Sequence, residues 1–310
     1  MTQLTNTILM IRPVSFRMNE ETAVNNYYQH SPEDMSAALI QLKALEEFDN
    51  FVSKLRDNDV NVVVIEDTVS PNTPDSIFPN NWISFHNSGQ IGIFPMFAEN
   101  RRLERREDIF EILEDLGFKI DEVVDYSSAE EASLFLEATG SMVLDRGKRI
   151  AYCALSPRAD EDLFIEFCED FEYTPVIFKS YQTVNEKREL IYHTNVMMAI
   201  TLNFVVVCLD SIDDKKERKN FIQHVVNSGK QIIEITEEQV EHFAGNMLQV
   251  TDRLNNPITV MSQAAYDCLN EDQLKLLSSE AKIVSSDLET IETCGGGSAR
   301  CMMAEVFLSN

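Results

Sequence analysis

Apolar residues along the chain follow two alternating rhythms. Stretches with apolar positions three and four apart predict helices. The first, "SPEDMSAALIQLKALEEFDNFVSKLRD", has Ser31 as its expected cap and Pro32 at its first helical position. Short apolar runs such as "VNVVVIED" predict strands, and two such runs around a turn predict a hairpin, as in "WISFHNSGQIGIF" around Asn87, Ser88 and Gly89. The order helix, strand, hairpin then returns. It appears as "NRRLERREDIFEILEDLG", "FKIDEVV" and "SMVLDRGKRIAYCAL"; as "RADEDLFIEFCEDF", "TPVIFKSY" and "VMMAITLNFVVVCL"; and as "DKKERKNFIQHVVNSG", "KQIIEI" and "MLQVTDRLNNPITVMS". A fifth round gives "NEDQLKLLSS", "AKIVSS" and one last strand, "CMMAEVFL", whose partner is available at the other end of the chain as "TILMIRP".

Landmarks just before the first hairpin strand of each round make the repeat measurable. Asn81, Gly140, Asn195, Asn246 and Cys301 lie at intervals of 59, 55, 51 and 55 residues. Five equivalent units with that period predict a ring closed by pairing of the terminal strands, hence a five-bladed α/β propeller built from ββαβ-type repeats as a single domain over residues 1–310. An open doubly wound sheet would alternate strands and helices one for one, whereas this chain carries about three strands per helix. In a closed ring the segments "FPNN", "LEATG", "YHTN", "AGN" and "GGGSARC" meet at one end of the axis. A thiol, an imidazole and a carboxylate, distant in sequence, are thereby expected together, and a Cys beside a His is the material of nucleophilic catalysis. Three of the ten glycines stand in "CGGGSARC", as expected where backbone must approach a ligand.

Composition narrows the partners. The chain of 310 residues carries 52 acidic against 26 basic side chains, a net charge of −26, which argues against a nucleic-acid partner. No apolar run is long enough for a membrane span, and the first residues lack a secretory pattern, so a cytoplasmic location is expected. The six cysteines, Cys153, Cys168, Cys208, Cys268, Cys294 and Cys301, lack metal-site or scaffold spacing and mostly read as buried thiols, with Cys294 incidental. His30, His86, His224 and His242 read as surface or structural residues, and "RRLERRED" reads as a solvated, ion-paired face in which only the first arginines are candidates for function.

The segments "PDSIFPNNW", "LEATGSMVLD", "SPRAD", "YHTNVMM" and "GGGSARCMM" together resemble the guanidino-group modifying enzymes, which include arginine deiminase, dimethylarginine dimethylaminohydrolase and the amidinotransferases. The likeness runs nearly end to end and is nearest to the arginine-deiminase-related, citrulline-utilisation branch; it implies the five-fold pentein propeller. It implies Cys301 as nucleophile, His193 as proton carrier and Glu137 as the carboxylate that grips substrate N–H groups. Asp75, Asn80 and Asn81 match a substrate loop, and Arg158, assisted by Arg101 or Arg102, matches the arginine that holds an amino-acid carboxylate. Related deiminases carry aspartates where this chain has Asn81 and Asn195. An amide offers both a donor and an acceptor, which suits a neutral ureido group and tilts the expected substrate toward citrulline. The intermediate would be an S-amidino or S-carbamoyl enzyme, with no metal or other cofactor. Arginine deiminase, dimethylarginine hydrolysis, amidino transfer, a non-catalytic scaffold like the ribosome anti-association factors, and a homodimer all stay open at this point.

Overall fold

The computed structural model describes residues 2–32 and 35–310. Five three-stranded sheets share one pattern, in which a first strand pairs antiparallel with a second and a third joins the second in parallel. They are formed by Ile83–Phe85, Gln90–Ile93 and Glu122–Asp125; by Met142–Asp145, Ile150–Ala154 and Thr174–Phe178; by Met198–Ile200, Phe204–Val207 and Gln231–Glu234; and by Leu248–Thr251, Pro257–Ser262 and Lys282–Ser286. The fifth joins the two ends of the chain: Ala304–Glu305 pairs antiparallel with Thr7–Arg12, which runs parallel to Asn61–Glu66. The result is an α/β fold of several small sheets, and among the described residues no sheet closes on itself.

Each parallel crossover is covered by a helix whose apolar stripe faces the sheets. The longest, Ala37–Asp57, buries Ile40, Ala44, Phe48, Phe51, Val52 and Leu55. These residues share an apolar cluster with Phe78, Cys294 and Cys301, so the core runs up to the glycine loop without a polar break. The expected cap Ser31 is corrected to Ser36, whose hydroxyl accepts from the Leu39 N–H at 3.3 Å. Ser31 and Pro32 precede the helix and are not helical, and residues 33 and 34 lie outside the described residues.

Three other departures have physical causes. "NRRLERREDIFEILEDLG" is two helices, Glu99–Arg102 and Asp108–Asp115, because Arg101 and Glu104 turn inward and are buried, so the "RRLERRED" run is not wholly a solvated face. The strand expected over "CMMAEVFL" shrinks to Ala304–Glu305, since residues 298–303 form successive turns. An extra hairpin, Tyr181–Val184 with Lys187–Leu190, precedes His193. Its turn residues Asn185 and Glu186 both have positive φ, 48° and 65°, a conformation usually signalled by glycine, and its strands are mostly polar and at best half-buried apart from Gln182, so the sequence carries neither a glycine turn nor an apolar alternation there.

The cap correction is testable by chemical denaturation. Ser36→Ala should cost about 1 kcal/mol of stability. Ser31→Ala should stay within about 0.5 kcal/mol of the parent.

Candidate active site

Three of the five repeat landmarks open a strand through one tight turn, and these turns touch. Pro79–Asn81, Ala138–Ser141 and Thr194–Met197 are single helical turns, the second packed on both others. Glycines allow the approach. A Cβ on Gly140 would lie 2.3 Å from Asn81 Nδ2 and 2.8 Å from His193 Nδ1, and one on Gly245 would lie 2.3 Å from the Val196 carbonyl oxygen. The fifth segment carries Gly297, whose Cβ would press on Phe78 and on Cys301. Side chains from all five segments thus come together, and Asp75, Asn81, His193, Arg101, Arg158 and Cys301 line one cavity.

Cys301 is 3% exposed. Asn246 Nδ2 lies 3.2 Å from its sulfur and Asn195 Nδ2 lies 3.6 Å away. Burial pushes the thiol above its ordinary pKa, while the Ser298 backbone, Asn246, Arg300 and Asn195 work in the opposite direction. His193 hydrogen-bonds through Nε2 to Glu137 Oε2 at 2.7 Å. A carboxylate only accepts, so Nε2 bears the proton and Nδ1 is the ring nitrogen left for chemistry. Burial lowers the imidazole to about 4, against the pull of Glu137, so the ring is neutral at pH 7.

Glu137 stands behind that ring. Its Oε1 accepts from the Phe97 N–H at 3.0 Å, and Arg158 Nη1 and Arg101 Nη1 lie 3.6 and 4.0 Å from Oε2. Burial favours its neutral acid, but Arg158, His193 and Arg101 together hold it down at about 2. Its oxygens are therefore engaged within the protein. The carboxylate oxygen without a protein partner is Oδ1 of Asp75, whose Oδ2 accepts from Asn19 Nδ2 at 2.8 Å and Thr22 Oγ1 at 3.1 Å; burial raises its pKa.

Arg101 donates to both oxygens of Glu104 at 2.9 Å and to Asn81 Oδ1 at 2.8 Å. Arg158 donates from Nε to Asn25 Oδ1 and from Nη2 to the Thr22 carbonyl, both at 2.9 Å, with its guanidinium 4.7 Å from the Tyr192 ring centroid. Arg102 is spent on the Met96 and Phe97 carbonyls outside the cavity. Asn80 is fully buried with both ends of its amide unpartnered, and it is not among the residues that line the cavity. Cys294 is buried, and His86 is buried against the Phe171 ring at 4.0 Å.

The sequence reading missed the cover of the site. Thr22 and Asn26 line the cavity, and Asn26 donates to the Gly295 and Gly296 carbonyls at 3.3 and 3.4 Å. The available signal was the long polar connection "RMNEETAVNNYYQ" between a strand and a helix, since compact domains rarely keep such loops without a use. Asn246 was also overlooked, although it stands at the fourth landmark. The cavity has about 10 Å³ of free volume, room for roughly one water molecule. Among the described residues, no group of three or more His, Cys, Asp or Glu is arranged to hold a metal ion, and no helix is long and apolar enough to cross a membrane.

The profile of the N,N-dimethylarginine dimethylhydrolase family, eukaryotic type, matches residues 12–308. No curated protein sequence matches. Among solved structures, apo ArgZ, an arginine dihydrolase from the ornithine–ammonia cycle in cyanobacteria, superposes with a TM-score of 0.72 at 18% identity, covering 97% of this chain and 40% of that one. Unliganded AgrE gives 0.72 at 15%, covering 97% and 39%. The dimethylarginine hydrolase of Pseudomonas aeruginosa, a cysteine-to-serine mutant complexed with citrulline, gives 0.63 at 16%, covering 98% and 100%. The chain thus spans about two fifths of the full-length ArgZ and AgrE chains. At these identities the likeness establishes the fold.

The neutral His193 has a consequence for stability against pH. Its folded pKa of about 4 lies below the unfolded value of about 6.5, so as pH falls between these values the unfolded chain takes up a proton that the folded protein refuses. Stability should drop by up to about 1.4 kcal/mol per pH unit in that window on account of this residue. Denaturation midpoints measured from pH 7 to 4.5 should fall less steeply in His193→Asn than in the parent. His86, also lowered by burial, is present in both proteins.

Proposed function

The chain belongs to the N,N-dimethylarginine dimethylhydrolase family, hydrolases acting on guanidino carbon–nitrogen bonds, and from that premise we propose that it is a cysteine-dependent hydrolase whose preferred substrate is citrulline, converted to ornithine. The reading takes residues 1–310 as one domain and the five sheets as blades of a five-fold propeller, with the converging turns at one end of its axis. The scaffold alternative, which needs no such site, is set aside.

One observation carries the substrate preference. A guanidinium group only donates hydrogen bonds, so the contact from Arg101 fixes Oδ1 of Asn81 as the acceptor and leaves Nδ2 as a donor without a protein partner in the cavity wall. Of the unpartnered side-chain atoms, those on residues that line the cavity are one donor, Asn81 Nδ2, and one acceptor, Asp75 Oδ1. A ureido group matches both, its carbonyl oxygen accepting and its N–H donating. A guanidinium, with N–H donors all round, would meet Asn81 donor to donor.

In the proposed reaction Cys301 Sγ bonds to the ureido carbon as its proton passes to His193 Nδ1. The carbon–nitrogen bond to the side chain breaks, and His193 returns the proton to the departing amine of ornithine. Water, deprotonated by the same imidazole, attacks the S-carbamoyl carbon; the carbon–sulfur bond breaks, the thiol is regenerated, and the released carbamic acid decomposes to ammonia and carbon dioxide. Asn81 Nδ2 faces the oxygen on which charge develops. Arg158 is the proposed partner of the substrate carboxylate, a role in which the substrate replaces Asn25 and Thr22. Those contacts belong to the closed state, because a cavity with room for one water admits an amino acid only when residues 19–30 lift away.

Purified protein incubated with citrulline, arginine, dimethylarginine or agmatine, with ornithine and ammonia measured, tests the reading. Citrulline should give ornithine and ammonia, Cys301→Ala should abolish the reaction, and His193→Ala should slow it roughly 10²–10⁴-fold. Release of citrulline from arginine with no further conversion would make the protein a deiminase instead; passage of arginine through to ornithine would make it a dihydrolase that uses Asp75 for the first step.

Asn81→Asp isolates the substrate argument. It replaces the cavity donor by an acceptor and should lower kcat/KM for citrulline about 10- to 100-fold while relatively favouring arginine. An unchanged ratio of the two substrates would overturn the role given to Asn81.

A further inference from the structure

We propose that Asn246 is a catalytic residue whose side-chain amide donates a hydrogen bond to the sulfur of Cys301 and holds it as the attacking thiolate. Asn246 is fully buried. Gly245 before it permits the backbone to press against the Val196 carbonyl, which sets Asn246 over the turn that carries Asn195.

The amide has one available orientation. Its Oδ1 accepts from the Arg300 backbone N–H at 3.0 Å, a group that can only donate. Its Nδ2 donates to the Asn195 carbonyl oxygen at 2.9 Å, a group that can only accept. These two constraints lie on opposite ends of the amide and agree, so the second hydrogen on Nδ2 is directed to Sγ at 3.2 Å. Both ends are anchored to backbone, so the donor is in place before any substrate arrives. A thiol accepts such a bond weakly and a thiolate strongly, so the contact favours the charged nucleophile. Asn195 Nδ2, at 3.6 Å, is a longer second donor.

Asn246 does its work among other charges. Asp75, Arg101, Arg158, Tyr192 and His193 line the same cavity. Arg300 directs its guanidinium to the Met303 carbonyl and Glu305 rather than to the sulfur. All of them are retained when Asn246 alone is changed, so a shift in thiol behaviour reports on the amide.

The inference rests on the reading of Cys301 as nucleophile, but its test does not require turnover of any substrate. The rate of Cys301 alkylation by iodoacetamide, followed by peptide mapping between pH 6 and 11 with Cys301→Ser as control, gives the thiol's titration midpoint. Asn246→Ala should raise the midpoint by at least about one pH unit, a roughly tenfold slower alkylation on the acid side. Asn246→Asp keeps the acceptor for the Arg300 N–H and nearly the same shape but replaces the donor with a carboxylate, so it should raise the midpoint further. Midpoints unchanged from the parent in Asn246→Asp, or in a folded Asn246→Ala, would reduce Asn246 to a packing residue and overturn the proposal. Absence of citrulline turnover in the parent, with the midpoint still shifted in the Asn246 variants, would count against the proposed reaction and leave the role of Asn246 standing.

Discussion

The site is organised around a carboxylate that has been taken entirely out of water. An ionised Glu137 at zero exposure would be prohibitively unstable alone, and it is retained because the Phe97 N–H, the His193 ring, Arg158 and Arg101 surround it. Those partners come from the second and third rounds of the repeat and from the connection that leads into the second. Satisfying one buried charge therefore ties these segments together and fixes the His193 ring with Nε2 on Glu137. A second buried pair, Arg101 with Glu104, does the same for the loop that carries Asn81: burial, opposed by the nearby guanidinium, leaves Glu104 raised to about 8, and Arg101 Nη1 reaches Asn81.

Two amides in this site have their ends assigned by neighbours that have only one hydrogen-bonding role. A guanidinium does this for Asn81, and a backbone N–H and carbonyl do it for Asn246. An asparagine in a polar pocket normally leaves open which end faces a ligand. Here the choice is made by fixed protein neighbours before any ligand arrives, and the chemical character of the cavity is set by them as well.

Much of this was legible in the chain because the repeat is regular. The spacing of Asn81, Gly140, Asn195, Asn246 and Cys301 led to the expectation that distant segments meet, and the sheets follow the predicted hairpin, helix and strand in each round. What escaped was whatever depends on burial rather than pattern. Arg101 reads as a candidate substrate contact and Glu104 as part of a solvated face, because helical periodicity cannot reveal that the two form an inward-facing pair where the helix breaks. Ser31 reads as the cap because Pro32 follows it, a pairing common at a first helical turn, whereas the helix starts only after Ser36. The polar segment at residues 19–30 has no periodicity to read, although Asn19, Thr22 and Asn26 hydrogen-bond to site residues.

The covered cavity also gives the enzyme a conformational tax. If only a fraction of molecules have the covering segment lifted, every intrinsic affinity for substrate is reduced by that fraction. The hydrogen bonds from Asn26 to the glycine-loop carbonyls and from Arg158 to Asn25 and the Thr22 carbonyl set its size. A ligand that makes its own contacts to Arg158 competes with the closed state for the same donors, so occupancy and opening are thermodynamically linked. Substitutions at Asn25 or Asn26, which need never touch the reacting atoms, would then change apparent KM through this equilibrium, making the covering segment a dial for substrate demand separate from the chemistry beneath it.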